Sequence, residues 1–473
     1  GGPAMSAAAD TLTQPHDPLA ARIATYAGQL DAVSIPENVR AYAKLCLADA
    51  IGIGFASHRY DFAGKSVDAI RGLAGDGPFP VVGTPHRLPV RDAALLNGLL
   101  MHGLDFDDTH TGAVIHATVS AAPLMLAEAQ RHGSSGAQAL AAYILAIEVD
   151  ARIGQVAEGM LQKIGFHPTG LVGIFGATVA SGYLGGLTQS QLAQAQGIAL
   201  SMASGSLEFL ADGSWTKRLH PGWAACNAIT ATALAAGDFR GPLNAYEGRY
   251  GLYSLYLRRD DVDVSGLADD MGQSWEMMNV AIKPYPVCHF NHACIDATLA
   301  IVREHGLKPD DIASIEAKIH SKQHDVVCNP IEAKRRPTSD YDAKFSLPFA
   351  VSAAVVRDRF TLAELYDDAL NDAAILSVCD RVTCSHMEDS AYPTYYSGQV
   401  VITTTDGRRL EHVEKINRGA DSRALDEAAV REKYLGNVDG HLSAAQADAL
   451  WDAIQTLDGA PNTDALSAAI AGN

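Results

Sequence analysis

The chain has 473 residues, of which 48% are hydrophobic and 19% charged. That length suits two domains, and the balance is globular, which excludes disordered, collagen-like and disulfide-scaffold classes. With 36 Lys and Arg against 55 Asp and Glu, the net charge of −19 repels nucleic acid and anionic membranes at long range. It repels anionic substrates too, so a site for an acid must gather cations against the global field.

The opening Gly1-Gly2-Pro3-Ala4 reads as a cloning remnant ahead of a start at Met5, with no basic-then-apolar signal segment behind it. Apolar runs are broken by Gly and charges before reaching the ~18 residues of a membrane span. Seven cysteines are scattered without CxxC spacing, which fits thiols in a reducing cytoplasm.

The first half reads as helix after helix. Ile35-Pro36-Glu37 opens one, with Val39, Tyr42, Leu45, Cys46 and Ala50 at helical spacing. Others are expected near Val90 to Leu104, Thr118 to His132, Gly136 to Val156, Thr169 to Leu184 and Gln189 to Ala203. Many are rich in Ala and Gly, which lets helices approach closely. No fixed period emerges, so a repeat array is excluded.

The texture changes near Gly272. Met277 to Ile282 reads as a strand, and Ala313 to His320 alternates with Ile315, Ala317 and Ile319 on one face. Val400 to Thr405 and Arg409 to Val413 flank Asp406-Gly407, a hairpin signal. Helical stretches lie near Ala293 to Glu304 and Phe345 to Val356, then at Leu425 to Tyr434 and Ser443 to Leu457. The expected fold is mainly α with an α+β part: a helical domain over 6–272, an α+β lid over 273–416, and C-terminal helices over 417–473 that return to the helical domain.

Four clusters carry candidate chemistry. His102-Gly-Leu-Asp105-Phe-Asp107-Asp108-Thr109-His110, with His116 beyond, follows an apolar helix. A continued helix would put Asp105, Asp108 and Thr109 on one face. Hard metal ligands, a solvated acidic helix end, or a partly buried site where a carboxylate orients a His or hydroxyl all remain open there. Gly165-Phe-His167-Pro168-Thr-Gly puts His167 at a helix N-terminus, where backbone amides favour an anion and lower the pKa of a His.

Thr216-Lys217-Arg218-Leu-His220-Pro-Gly-Trp223, with Trp215 before it, reads as a cationic loop ahead of a helix from Ala224 to Ala236. Bracketing tryptophans would desolvate these cations for carboxylate binding, whereas a solvated basic turn is the bland alternative. Lys283-Pro-Tyr-Pro-Val-Cys288-His289-Phe-Asn-His292 invites zinc or a Cys–His nucleophile, but adjacent ligands are poorly spaced. Dinucleotide, P-loop, HExxH and GxSxG signatures do not occur.

Together with Asp342-Ala-Lys-Phe-Ser-Leu-Pro-Phe349, these motifs stand in the order seen in the MmgE/PrpD family, which the chain resembles from about Leu19 to Gln455. Its members include 2-methylcitrate dehydratase, cis-aconitate decarboxylase and iminodisuccinate epimerase. The resemblance implies a cofactor-independent enzyme, usually a homodimer, with an active site between a helical domain and a smaller α+β lid. The substrate would be a small di- or tricarboxylate, handled by proton transfer beside a carboxylate.

Matched motif by motif, Asp105, Thr109, His116, His167, Lys217 and Lys283 inherit the family's site. Lys217 and Lys283 would hold substrate carboxylates, with Arg218, His220, Cys288 and His289 as further binding candidates. His116 and His167 would be the acid/base pair, and Asp105 with Thr109 would orient one of them or a substrate hydroxyl. Two positions depart. Cys288, with His289 next to it, stands where the animal decarboxylase has a catalytic His, and Phe349 stands where Tyr is common, with Tyr341 no assumed replacement. The alternatives are a dicarboxylate epimerase such as one acting on iminodisuccinate, a metal-dependent hydrolase, or a non-catalytic acid-binding protein.

Overall fold

The computed structural model describes residues 17–472, so the expected start at Met5 lies outside the described residues. The chain forms two compact units. One comprises the residues up to Val280 together with those from Val438 on, and the other runs from Ala281 to Asn437. Both boundaries fall somewhat later than the changes of texture at 272 and 416.

The first unit is built from helices α1 (Leu19–Gln29), α2 (Glu37–Ala56), α3 (Asp61–Ala74), α4 (Val90–Met101), α5 (Thr118–His132) and α6 (Gly136–Val156). They are followed by α7 (Met160–Ile164), α8 (Pro168–Gly185), α9 (Gln189–Leu200) and α10 (Thr216–Ala236). Local sequence explains the starts. Ser135 and Gln138 form a reciprocal capping box on α6, as do Thr188 and Gln191 on α9, satisfying amides that a helix end leaves orphaned.

Helix α8 is apolar all round and packs against α5, α6, α9 and α10. Leu171, Val172, Phe175, Ala177 and Val179 are fully buried, and each large apolar side chain hidden this way stabilises by roughly 1.5–3 kcal/mol. Helices α4 and α10 cross at Gly98 and Gly222. A Cβ on Gly98 would lie 2.4 Å from Gly222 Cα, and one on Gly222 would lie 2.0 Å from the Leu95 carbonyl oxygen. Only glycine fits at either position.

In the second unit, strands β1 (Ile312–Ile319), β2 (Val382–His386), β3 (Gly398–Thr404) and β4 (Arg409–Glu414) form one mixed sheet in the order β2-β1-β3-β4. The β1–β2 pair is parallel and the other two pairs are antiparallel. Ile315, Ala317 and Ile319 of β1 are buried on one face as their alternation implies. They join Cys294 and Ile301 of α11 (His292–His305) and Val351 of α12 (Leu347–Arg357) in one core. The hairpin at Asp406-Gly407 forms, with Gly407 at φ +89°.

Helix α13 (Glu427–Val438) ends at the second boundary. Helices α14 (Ala444–Gln455) and α15 (Asp464–Ile470) belong to the first unit, where α14 packs on α2. The strand expected over Met277 to Ile282 is instead a 3₁₀ turn, Glu276–Asn279, with only Val280–Ala281 extended after it. No disulfide joins the seven cysteines. Among the described residues no helix is long and apolar enough to cross a membrane.

Candidate active site

Helix α4 stops at Met101, and its C-cap, His102, still donates its amide to the Gly98 carbonyl at 3.1 Å. The chain then turns away through Asp105, whose φ of +52° is left-handed and tolerable for Asp. Asp105, Asp108 and Thr109 therefore do not share a helical face. Asp105 is half exposed, while Asp107 and Asp108 are fully buried.

Asp107 is the hub. Its oxygens lie 3.0 and 3.1 Å from His102 Nδ1, and its Oδ2 also lies 3.0 Å from His116 Nδ1. Asp108 accepts from the Thr118 amide at 3.1 Å and from the Thr118 hydroxyl, tying the loop to the start of α5. The His116 amide donates to Thr169 Oγ1 at 3.0 Å. Asp107 and Thr169 thus fix His116, whereas the resemblance implies that Asp105 with Thr109 orients one of the histidines or a substrate hydroxyl. Asp105 Oδ1 is 3.7 Å from His116 Nε2.

His167 is the N-cap of α8, with Pro168 in the first turn as expected. The segment holding Lys217, Arg218 and His220 is not a loop. Helix α10 already begins at Thr216 and continues past Pro221, which has no N–H to give the Lys217 carbonyl. Lys217 donates to Asp105 Oδ1 at 2.9 Å, and His220 Nδ1 lies 2.7 Å from His167 Nδ1. Arg218 donates to the Gly103 carbonyl at 2.6 Å and lies over the Phe62 ring at 4.3 Å, so it props the turn after α4. Trp215 and Trp223 remain 47% and 43% exposed and do not bury the cations.

The first unit therefore brings together Asp105, His116, His167, Lys217 and His220. It adds His102 and Asp107, which the sequence reading gave no role. His102 stacks on His167 with ring centroids 5.8 Å apart, and its Nε2 is buried without a hydrogen-bond partner among the described residues.

The electrostatics follow from burial. Desolvation lowers the His102 pKa although Asp107 pulls it up. His167 is held far below the usual histidine range, first by desolvation and then by His102, Lys217, His116 and His220. Desolvation, helped by His102 and Lys217, brings His220 down to about 4. Burial would also depress the Lys217 ammonium, but Asp105, and behind it Asp107, raises it above the ordinary lysine value. The two imidazoles at Asp107 outweigh its desolvation and hold it well below the carboxylate range. Neutral imidazoles beside a persistent ammonium can accept protons next to a bound anion.

His102, Asp107 and His116 offer donor atoms within 4.8 Å of one another, the one such set among the described residues. Their contacts are those of imidazoles turned toward a carboxylate. A metal-bound imidazole commonly donates its other ring N–H to an acceptor, and His102 Nε2 has none among the described residues.

Lys283, Cys288 and His289 belong to the second unit. Cys288 donates its amide to the Lys344 carbonyl at 2.9 Å and precedes a 3₁₀ turn, His289–Asn291. The His289 ring lies 4.9 Å from that of His292 and 6.0 Å from that of Tyr396. Phe349 is fully buried in α12, and Tyr341 is exposed against Phe345. Tyr285, Asp296 and Arg418 form a further cluster absent from the sequence reading, with Arg418 donating to the Tyr285 hydroxyl at 3.1 Å.

Residues 21–265 match the model of the MmgE/PrpD N-terminal domain, and residues 285–459 match that of the MmgE/PrpD C-terminal domain. A cis-aconitate decarboxylase-like protein of Aspergillus oryzae is 24% identical over 98% of this chain and 99% of its own length. The cis-aconitate decarboxylase of Mus musculus is 25% identical, covering 92% of this chain and 90% of the relative. The 2-methylcitrate dehydratase of Escherichia coli is 23% identical, covering 78% and 80%.

Proposed function

The chain belongs to the MmgE/PrpD family, and from that premise we propose that it is a lyase acting on a small polycarboxylate by proton transfer next to a carboxylate. The observation that carries this reading is one ammonium, Lys217, held charged by Asp105 within a group of imidazoles that burial keeps neutral. The cation binds a substrate carboxylate and absorbs charge as the neighbouring carbon gains electron density. His167, which burial keeps neutral, or His116 removes or supplies the proton.

In dehydration, the base takes the C–H proton, the electron pair forms the double bond, and hydroxide leaves as water after protonation. In decarboxylation, the C–C bond to the carboxylate breaks, carbon dioxide leaves, and the resulting carbanion takes a proton. Neither needs a metal or organic cofactor, and none is part of the proposal. Lys283 is proposed as a second carboxylate ligand. His220 and Arg218 are not, since His220 is engaged with His167 and Arg218 with Gly103 and Phe62. A cytoplasmic homodimer completes the proposal, and light scattering of the purified protein tests the dimer.

The deciding experiment is incubation with citrate, 2-methylcitrate, cis-aconitate and iminodisuccinate, followed by product mass spectrometry and chiral analysis. Loss of water or carbon dioxide from one of the tricarboxylates supports the lyase. Conversion of iminodisuccinate to its stereoisomer alone makes the chain an epimerase, and no turnover of any of the four rejects the reading.

A further inference from the structure

His167 and His220 meet through the same ring atom. Their Nδ1 atoms are 2.7 Å apart, a hydrogen-bond distance. A neutral imidazole carries one N–H and one lone pair, so one ring must present Nδ1–H and the other a bare Nδ1. Their outer nitrogens are then opposite in kind: one Nε2 is an acceptor and the other an N–H donor. Among the described residues neither Nε2 has a hydrogen-bond partner, and neither is a fully buried, unpaired atom.

The pair is held rigidly. Phe209 lies against both rings, with centroids 5.9 Å from His167 and 6.0 Å from His220. Gly170 admits the His220 side chain, since a Cβ there would lie 2.8 Å from His220 Cβ. His167 is buried and His220 only half-buried, so the pair runs from interior toward solvent.

We infer that His167 and His220 form a two-imidazole proton wire, in which His167 Nε2 gains a proton as His220 Nε2 loses one. The inference rests on the reading of His167 as an acid/base. When the substrate C–H bond breaks, its electron pair stays on the substrate and its proton goes to His167 Nε2. The Nδ1 proton of His167 passes to His220 Nδ1, and the Nε2 proton of His220 passes to water. Run in reverse, the wire delivers a proton to substrate and takes one from solvent. His167 never becomes an imidazolium, which its burial and the surrounding His102, His116 and Lys217 oppose. His220 is thus a positioning and relay residue.

Ligand-free protein carrying ring-¹⁵N histidine tests the pairing without any substrate. At pH 7, His167 and His220 should be opposite neutral tautomers, and identical tautomers overturn the wire. The second test is His220→Asn, whose amide can hydrogen-bond to His167 Nδ1 but cannot pass a proton through. With cis-aconitate as substrate, kcat should fall roughly 100-fold with KM within twofold and an unchanged melting temperature. A folded His220→Ala enzyme should regain activity with added imidazole, and failure to respond counts against the wire. A His167→Gln enzyme at wild-type rate rejects the parent reading. An inactive His167→Gln beside a fully active His220→Asn rejects the wire alone.

Discussion

Lys217 and Asp105, 112 positions apart in the chain, are joined by a 2.9 Å charge-assisted hydrogen bond. Lys217 stands in the first turn of α10, where the helix dipole opposes a cation, and the Asp105 carboxylate offsets that penalty. Asp105 is half exposed and can be hydrated if the partner goes, so the pair adds little to stability. Lys217→Ala should therefore lower kcat/KM by about one to two orders of magnitude and leave the melting temperature nearly unchanged. An unaltered rate removes Lys217 from the site.

His116→Gln and His167→Gln should each abolish turnover with the fold intact, as circular dichroism would report. The bell-shaped pH profile expected of an acid/base pair should lack a limb from His167 near neutrality, because that ring stays neutral there. Ring-¹⁵N signals showing His167 taking up a proton above about pH 5 would contradict this, given an ordinary histidine value of ~6.5.

The buried histidines should also govern acid stability. His102, His167 and His220 all have folded-state pKa values below the unfolded value. The unfolded chain therefore binds more protons once pH drops below about 6.5, and stability is lost as pH falls through that window. His220→Asn should flatten the decline in melting temperature between pH 6.5 and 4.5. An unchanged slope would mean that His220 is not held neutral by folding.

Asp108 works in the opposite sense. Burial, helped by Asp49 and Asp107, raises its carboxyl to about 7 in spite of the Thr118 hydrogen bonds. Its folded pKa exceeds the unfolded value, so its contribution to stability is fully present below about pH 4 and is lost as pH rises toward 7. Asp108→Asn, which keeps an acceptor for the Thr118 amide, should gain stability relative to the parent as pH goes from 4 to 8. Urea midpoints at four pH values would measure the trend, and a flat difference would refute it.

Activity should survive exhaustive EDTA treatment. The donor set around Asp107 is accounted for by its two imidazoles, and His102 Nε2 has no acceptor of the kind a metal-bound ring uses. Loss of turnover on chelation, restored by added metal, would require a different mechanism.

The parts legible in the sequence are those where one local signal dominates. Helices α5 and α6 start and stop where the sequence pattern places them, and β1, β3 and β4 follow from alternation, the last two on either side of Asp406-Gly407. The start of α10 was not legible because Trp215 makes no side-chain cap and Pro221 reads as a break. β2 hid because Val-Thr-Cys-Ser-His lacks clean alternation and pairs parallel to a distant strand. Within the site, a continued helix would put Asp105, Asp108 and Thr109 on one face, but the chain leaves the helix at His102 and buries Asp107 and Asp108. The contact between His167 and His220 joins positions 53 apart in sequence, and no spacing rule announces it.

The α4–α10 crossing has a consequence for how this enzyme can change. The turn carrying His102 and Asp105 follows one helix, and Lys217 and His220 ride on the other, with main chain against main chain at Gly98 and Gly222. Overpacked side chains commonly cost about 1–3 kcal/mol by shifting, but here a methyl would meet backbone that cannot step aside. The separation between ammonium and imidazoles is therefore a fixed gauge. New substrates must be accommodated by exchanging side chains around it, because one added carbon at either glycine pushes both halves of the site out of register.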